Sequence, residues 1–260
     1  MTDMIEELEF TARADGLAIR GARFFAPGGR RPLLIIMHGI PRAKPDPGDR
    51  TYRDLARAMA ADGFMAVIFN FRGTGASEGD ISLDGWFRDY QAVAALARSW
   101  PEADPSRLAL LGFSAGGSVA IRAAATDPAV TAVAAVSSPA EYSFLTEVTP
   151  AAGWAKLFRE IGLIRDLGFP ASLADWEAEF DKAAPVRYVA GIAPRPLLIM
   201  HGTEDETIPV EHARTLYERA GAGRELVLIP DGKHRLRADD RAVKAAREWL
   251  RKQAGKTEKA

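Results

Sequence analysis

Ser114 lies in the stretch LALLGFSAGGSVA, residues 108–120. An apolar run from Leu108 to Leu111 breaks there at Gly112, and a segment of Ala, Gly and Val follows. Gly112-Phe113-Ser114-Ala115-Gly116 fits G-x-S-x-G. The pattern gains meaning from its setting, a buried strand before it and a helix after it. So sharp a turn excludes bulky neighbours, which accounts for the glycines. It lifts the hydroxyl above the end of the strand and sets it at a helix N-terminus, where free N–H groups and the dipole favour developing negative charge. The chemistry this implies is nucleophilic attack on a carbonyl. The competing account is a tight turn that merely needs small residues.

A serine hydroxyl attacks well only when a base removes its proton. The chain has four histidines, at positions 38, 201, 212 and 234. His38 and His201 each end an apolar run in MHG, a place where histidine commonly shapes a loop by hydrogen bonding. His212 falls among charged residues of a helical stretch and reads as exposed. His234, in the loop IPDGKHRLR after the last strand, is the candidate base. The base needs a carboxylate to fix its tautomer and stabilise the imidazolium. LLIMHGTEDETIP offers Asp205, with Glu204 beside it as competitor. The order Ser114, acid, His234 is the one required when all three sit on successive loops of a parallel sheet. Two backbone donors would complete the site for a tetrahedral oxyanion. They are the N–H of Ala115 and that of Ile40, in the loop HGIPRAKPDPGD, where Pro41 has no N–H to offer.

Positioning such a constellation takes a particular arrangement of elements. Apolar runs at 33–37, 65–70, 107–113, 130–136, 197–200 and 225–229 read as strands, most of them apolar throughout, as in sheets covered on both faces. Helical patterns separate them. One is YRDLARAMAADG, with Gly63 as its stop; others are DGWFRDYQAVAALARSW, EHARTLYERAG and DDRAVKAAREWLRKQ. Strand–helix–strand repetition predicts an α/β fold with a mostly parallel sheet and helices on both faces. LAIRGARFF, residues 17–25, reads as part of an N-terminal antiparallel hairpin. Residues 140–190 are too many for one crossover and carry Tyr142, Phe144, Trp154, Phe158, Phe169, Trp176, Phe180 and Tyr188. They predict a small cap with helices over 152–165 and 172–183 inside a single domain spanning 1–260. The alternative is an ordinary helix with packed aromatics.

Composition narrows the remaining classes. The 260 residues carry a formal net charge of −1 and no cysteine. Disulfides, thiolate catalysis and Cys-based metal sites are therefore excluded. No basic stripe among aromatics supports nucleic-acid binding, and the tail RKQAGKTEKA reads as solvated. The acidic start MTDMIEELEF lacks the pattern of a secretory signal. No apolar run reaches the ~20 residues of a membrane span, so a cytoplasmic protein is expected. GTGASEG fails as a dinucleotide loop because Glu78 replaces the third glycine. GFSAGGSV fails as a phosphate loop because Ser118 stands where lysine is needed. Arg72 reads as a brace for its loop, with substrate contact as the alternative. The histidines are too scattered for a metal site, and no cofactor is expected.

The stretches MHGI, NFRGTGASEG, GFSAGG, HGTEDETIP and GKH together resemble the α/β-hydrolase superfamily over nearly the whole chain. Within it the chain is most similar to the compact esterase and acyl-peptidase-like group with a short cap. The resemblance implies an eight-stranded sheet, a Ser114–Asp205–His234 triad, and Ile40 and Ala115 as oxyanion donors. It departs from the lipase pattern with HGGG at the oxyanion loop, and it lacks the propeller domain of the oligopeptidase branch. The expected activity is a serine hydrolase of carboxylic esters working through an acyl-enzyme. Its partner would be a small-molecule ester, with an apolar or aromatic moiety suggested by the cap, and the chain itself would be a monomer or homodimer. Amidase, peptidase or thioesterase chemistry on the same residues is the alternative, followed by a binding protein that has lost turnover.

Overall fold

The structure, a computed structural model, describes residues 4–41, 51–146 and 149–255, with the side chains of Phe144 and Thr146 excepted. The later part of the loop after the first parallel strand, residues 42–50, and the end of the C-terminal tail lie outside the described residues. So do residues 1–3 of the acidic start.

Eight strands form one sheet: β1 (Glu6–Ala14), β2 (Leu17–Phe25), β3 (Arg31–Met37), β4 (Met65–Phe69), β5 (Ala103–Phe113), β6 (Val130–Val136), β7 (Leu197–Gly202) and β8 (Arg224–Ile229). Their spatial order is β1-β2-β4-β3-β5-β6-β7-β8. The hairpin β1–β2 and the β2–β4 pair are antiparallel, and every later pair is parallel. Helices α1 (Tyr52–Ala61), α2 (Leu83–Arg98), α3 (Ala115–Thr126), α7 (Glu211–Arg219) and α8 (Asp240–Ala254) connect or close the strands. The short α4 (Ser143–Thr146), α5 (Ala151–Glu160) and α6 (Leu173–Ala183) lie between β6 and β7. Apolar side chains alternate to both faces of the sheet. Leu33, Ile35, Leu110 and Val133 meet α2 and α3, while Leu34, Ile36, Leu111 and Ala134 meet α1 and α8. That two-sided burial is why the central parallel strands carry continuous apolar runs, whereas β8 at the edge is mostly half-buried. No helix among the described residues is long and apolar enough to cross a membrane.

The helix ends follow local chemistry. Thr51 and Asp54 form a reciprocal capping box at α1. Beyond that helix Gly63 takes φ +96°, the left-handed turn expected after a helix stop. β1 is the element the sequence hides best. It pairs with β2 over nine residues, yet Glu6 and Glu9 are exposed and only Ala12 and Ala14 are buried. Charges along such an outer strand discourage edge-to-edge association.

Between β6 and β7 the aromatic residues pack on one another. Trp154, Phe158, Trp176, Phe180 and Tyr142 form a chain of ring contacts with centroids 5.3–6.0 Å apart. These rings make the core of the insert itself, and packing accounts for its aromatic content. α5 ends at Glu160, short of 165, because Gly162 turns the chain at φ +77°.

Polar ties fix the insert to the loop after β4, which carries NFRGTGASEG. Arg165 donates to the carbonyls of Ser77 and Gly75 at 2.7 and 3.0 Å, and its backbone N–H to Asp80 at 2.6 Å. Trp176 Nε1 donates to Ile81 O at 3.1 Å, and Ser82 Oγ to Glu179 at 2.7 Å. Within this loop Arg72 is buried. Its Nε and Nη2 donate to Asp89 Oδ1 at 3.0 and 2.8 Å, and its own N–H to Asp89 Oδ2 at 2.8 Å. Arg72 therefore braces the loop against α2. A buried pair of this kind punishes loss of one partner, whereas exposed pairs contribute little. We expect Asp89→Ala to lower unfolding stability by about 3–5 kcal/mol. Arg88→Ala, which breaks only the exposed pair with Asp15, costs less than about 1 kcal/mol. Urea denaturation compares the two.

Candidate active site

The end of β5 and the start of α3 meet with no room to spare. A Cβ on Gly112 would lie 2.3 Å from Gly116 O, and one on Gly116 would lie 2.4 Å from His38 O. Only glycine permits this approach of backbone to backbone. The turn forces Ser114 to φ +52°, ψ −126°, a conformation that side-chain-bearing residues rarely adopt. Two hydrogen bonds keep it there: Ser114 N–H donates to Val136 O at 2.9 Å, and Gly117 N–H donates to Ser114 O at 2.8 Å. The strain thus presents Oγ at the C-terminal edge of the sheet.

His234 is carried by the loop after β8, and Asp205 by the loop after β7. The two loops are laced together. Glu204 N–H donates to Gly232 O at 3.0 Å, Asp231 N–H to Thr203 Oγ1 at 2.8 Å, and His234 N–H to Glu206 at 3.2 Å. A Cβ on Gly202 would stand 2.1 Å from Gly232 O, so this crossing also depends on glycine. The result brings three distant side chains into line. His234 Nε2 is 3.2 Å from Ser114 Oγ, and His234 Nδ1 is 2.8 and 3.0 Å from the two oxygens of Asp205. Glu204 is exposed and engaged with Lys233 instead. The Asp205 side chain is fully buried. Burial alone would raise its pKa, but hydrogen bonds from His201, His234 and the Ile208 N–H outweigh it and hold the carboxyl well below the usual carboxylate range. The acid is therefore an anion throughout the neutral range.

Ala115 is the buried first residue of α3, and its N–H is among those a helix cannot satisfy internally. Ile40 is half-buried and follows Gly39, whose Cα faces Ser114 so closely that a Cβ would lie 2.7 Å from Ser114 Cβ. Among the described residues no backbone bond outside helices and strands occupies the N–H of Ile40 or of Ala115. His38 holds this segment. Its Nδ1–H donates to Gly39 O at 2.6 Å, while Nε2 accepts from Phe71 N–H at 3.3 Å. Burial pushes its pKa down to about 4.

The other two histidines do more than their sequence context suggests. His201 is fully buried, with Nε2 2.8 Å from Ile208 O and 3.1 Å from Asp205 Oδ2. Its place four residues before the acid was the available signal. His212, read as exposed, is half-buried and accepts the Ala140 N–H at 3.1 Å on Nδ1, tying α7 to the start of the insert. Nothing local in the sequence marks that contact, because Ala140 lies 72 positions away.

Comparison with known proteins places the chain in company. The model of the prolyl oligopeptidase family matches residues 51–257. The protein YfhR of Escherichia coli O157:H7 is 29% identical over 233 residues, covering 88% of this chain and 73% of its own. Two solved structures share the fold. Est1E from Butyrivibrio proteoclasticus has a TM-score of 0.71 at 18% identity, over 95% of this chain and 99% of its own. The acylaminoacyl peptidase of Pyrococcus horikoshii has a TM-score of 0.72 at 20% identity, over 98% of this chain but 43% of its own.

Two outcomes follow. Replacing the strained serine by glycine relieves the turn. Ser114→Gly is therefore expected to be more stable than Ser114→Ala by about 1 kcal/mol, read by calorimetry. The folded-state value of His38 lies below its ordinary 6.5, so the unfolded chain takes up that proton first. Stability accordingly falls as pH drops from 6.5 towards about 4. His38→Gln is expected to flatten the fall, measured as urea midpoints across that window.

Proposed function

The chain belongs to the prolyl oligopeptidase family and has the α/β-hydrolase fold, and from that premise we propose that it is a serine hydrolase of carboxylic esters. Ser114 attacks the carbonyl while His234 Nε2 takes its proton. The tetrahedral oxyanion is received by the N–H groups of Ile40 and Ala115. As the intermediate collapses, His234 protonates the leaving alcohol and an acyl-enzyme remains on Ser114. Water, activated by the same imidazole, then releases the acid. Asp205 keeps Nδ1 protonated and offsets the charge of the imidazolium. What supports this reading above all is the continuous line from hydroxyl to imidazole to buried carboxylate, with steps of 3.2 and 2.8 Å. Apart from water, these steps use only the chain's own side chains and N–H groups.

Peptide or amide cleavage is the second reading, favoured by the family match over residues 51–257. The two differ at the leaving group, since an amine must be protonated as it departs and an alcohol leaves more readily. A panel of p-nitrophenyl esters, aminoacyl p-nitroanilides and acyl-thioesters separates them. Turnover of anilides at rates rivalling the esters would replace the esterase reading by the peptidase one.

A fluorophosphonate probe is expected to label the wild type and not Ser114→Ala. Labelling that persists in Ser114→Ala, or is absent from the wild type, would sink the assignment. His234→Ala is expected to lower kcat by about 10⁴-fold with the fold intact. Asp205→Asn is expected to impair turnover far more than Glu204→Gln.

A further inference from the structure

His201 sits near the end of β7 with its ring wholly inside the protein. Its Nε2 faces two acceptors, Ile208 O at 2.8 Å and Asp205 Oδ2 at 3.1 Å. A carbonyl can only accept, so Nε2 carries the hydrogen. The other nitrogen, Nδ1, is buried and has no hydrogen-bond partner among the described residues. An apolar ring in the same place would fill the space without burying an orphaned polar atom. The imidazole must therefore supply something that packing does not.

The donors around Asp205 show what that is. Oδ1 accepts the N–H groups of Thr207 and Ile208 at 2.9 and 2.8 Å. Both belong to the acid's own loop and move with it. His234 approaches both oxygens from the neighbouring loop. His201 alone among these partners is anchored in the sheet, within the β7 backbone that pairs with β8. We propose that His201 is a positioning residue. By sharing Nε2–H between Ile208 O and Oδ2 it ties the acid loop and the carboxylate to the sheet so that both oxygens face His234 Nδ1. The proposal rests on the reading of Ser114, His234 and Asp205 as a catalytic unit.

The bond also shares the negative charge of Asp205 between two imidazoles. Without it Oδ2 serves His234 alone, and the imidazolium gains support. The other ionisable groups bearing on this cluster are Glu206 on the acid loop and His212 on α7.

The test uses the full chain and the rate of fluorophosphonate labelling between about pH 5 and 9. His201→Leu is expected to slow labelling about 10- to 100-fold, the size of effect that a small misplacement produces. Its acidic limb should move to higher pH. His201→Gln, whose amide can donate from near the same position, should recover most of the rate and the original limb. If His201→Leu does not fold, His201→Met takes its place. A wild-type rate and limb in the apolar variant overturns the proposal. So do equal losses in the apolar and Gln variants with an unmoved limb. Asp205→Asn, run alongside, separates the two readings. If it is dead while the His201 variants behave as wild type, only the positioning role fails. If Asp205→Asn labels at the wild-type rate, the catalytic unit itself fails and the role of His201 goes with it.

Discussion

The site depends on one contact distance, that between the backbone at the end of β3 and the first turn of α3. Gly116 sits under the carbonyls of Met37 and His38 with no space for a Cβ. That approach sets the height of Ser114 above the sheet and its distance from the Gly39–Ile40 segment. The same device recurs on the other side, where Gly202 and Gly232 bring the acid and histidine loops together. Close packing without side chains is what lets short loops hold Ser114, Asp205 and His234 in register. Because backbone moves less readily than side chains, the geometry exists before any substrate arrives.

Electrostatics complete what packing begins. Asp205 is an anion in a fully buried position, a state that requires several donors at once. They come from its own loop, from His234 and from β7. A second buried carboxylate, Asp89, meets the same requirement with the Arg72 guanidinium and an N–H. One buried anion orients an imidazole, and the other locks the loop that holds the insert. Each is tolerated because its hydrogen-bonding capacity is filled.

Much of this was legible in the sequence, and the exceptions have physical causes. Apolar runs marked the strands β3 to β8, most clearly the central ones, where burial on both faces leaves no alternation to confuse. The elbow was readable because steric demand at a sharp turn restricts residue choice to glycine. β1 was expected only as the unplaced partner of LAIRGARFF in an N-terminal hairpin, because an edge strand that buries only Ala12 and Ala14 shows no apolar run. Asp89 escaped because in FRDYQ it reads as one polar residue among others on a helix. Its partner is 17 positions away, and burial of a charge is a tertiary fact. The aromatic insert was visible as a break in rhythm. What its rings do was not, because ring-to-ring packing and ligand contact demand the same residue types.

Arg165 has a further consequence. Its guanidinium is buttoned into the carbonyls of the loop after β4 while its own backbone hangs from Asp80. The anchor points are main-chain carbonyls, present whatever side chains the loop carries. Sequence drift in that loop therefore leaves the fastening in place, whereas loss of the one guanidinium cuts several bonds together.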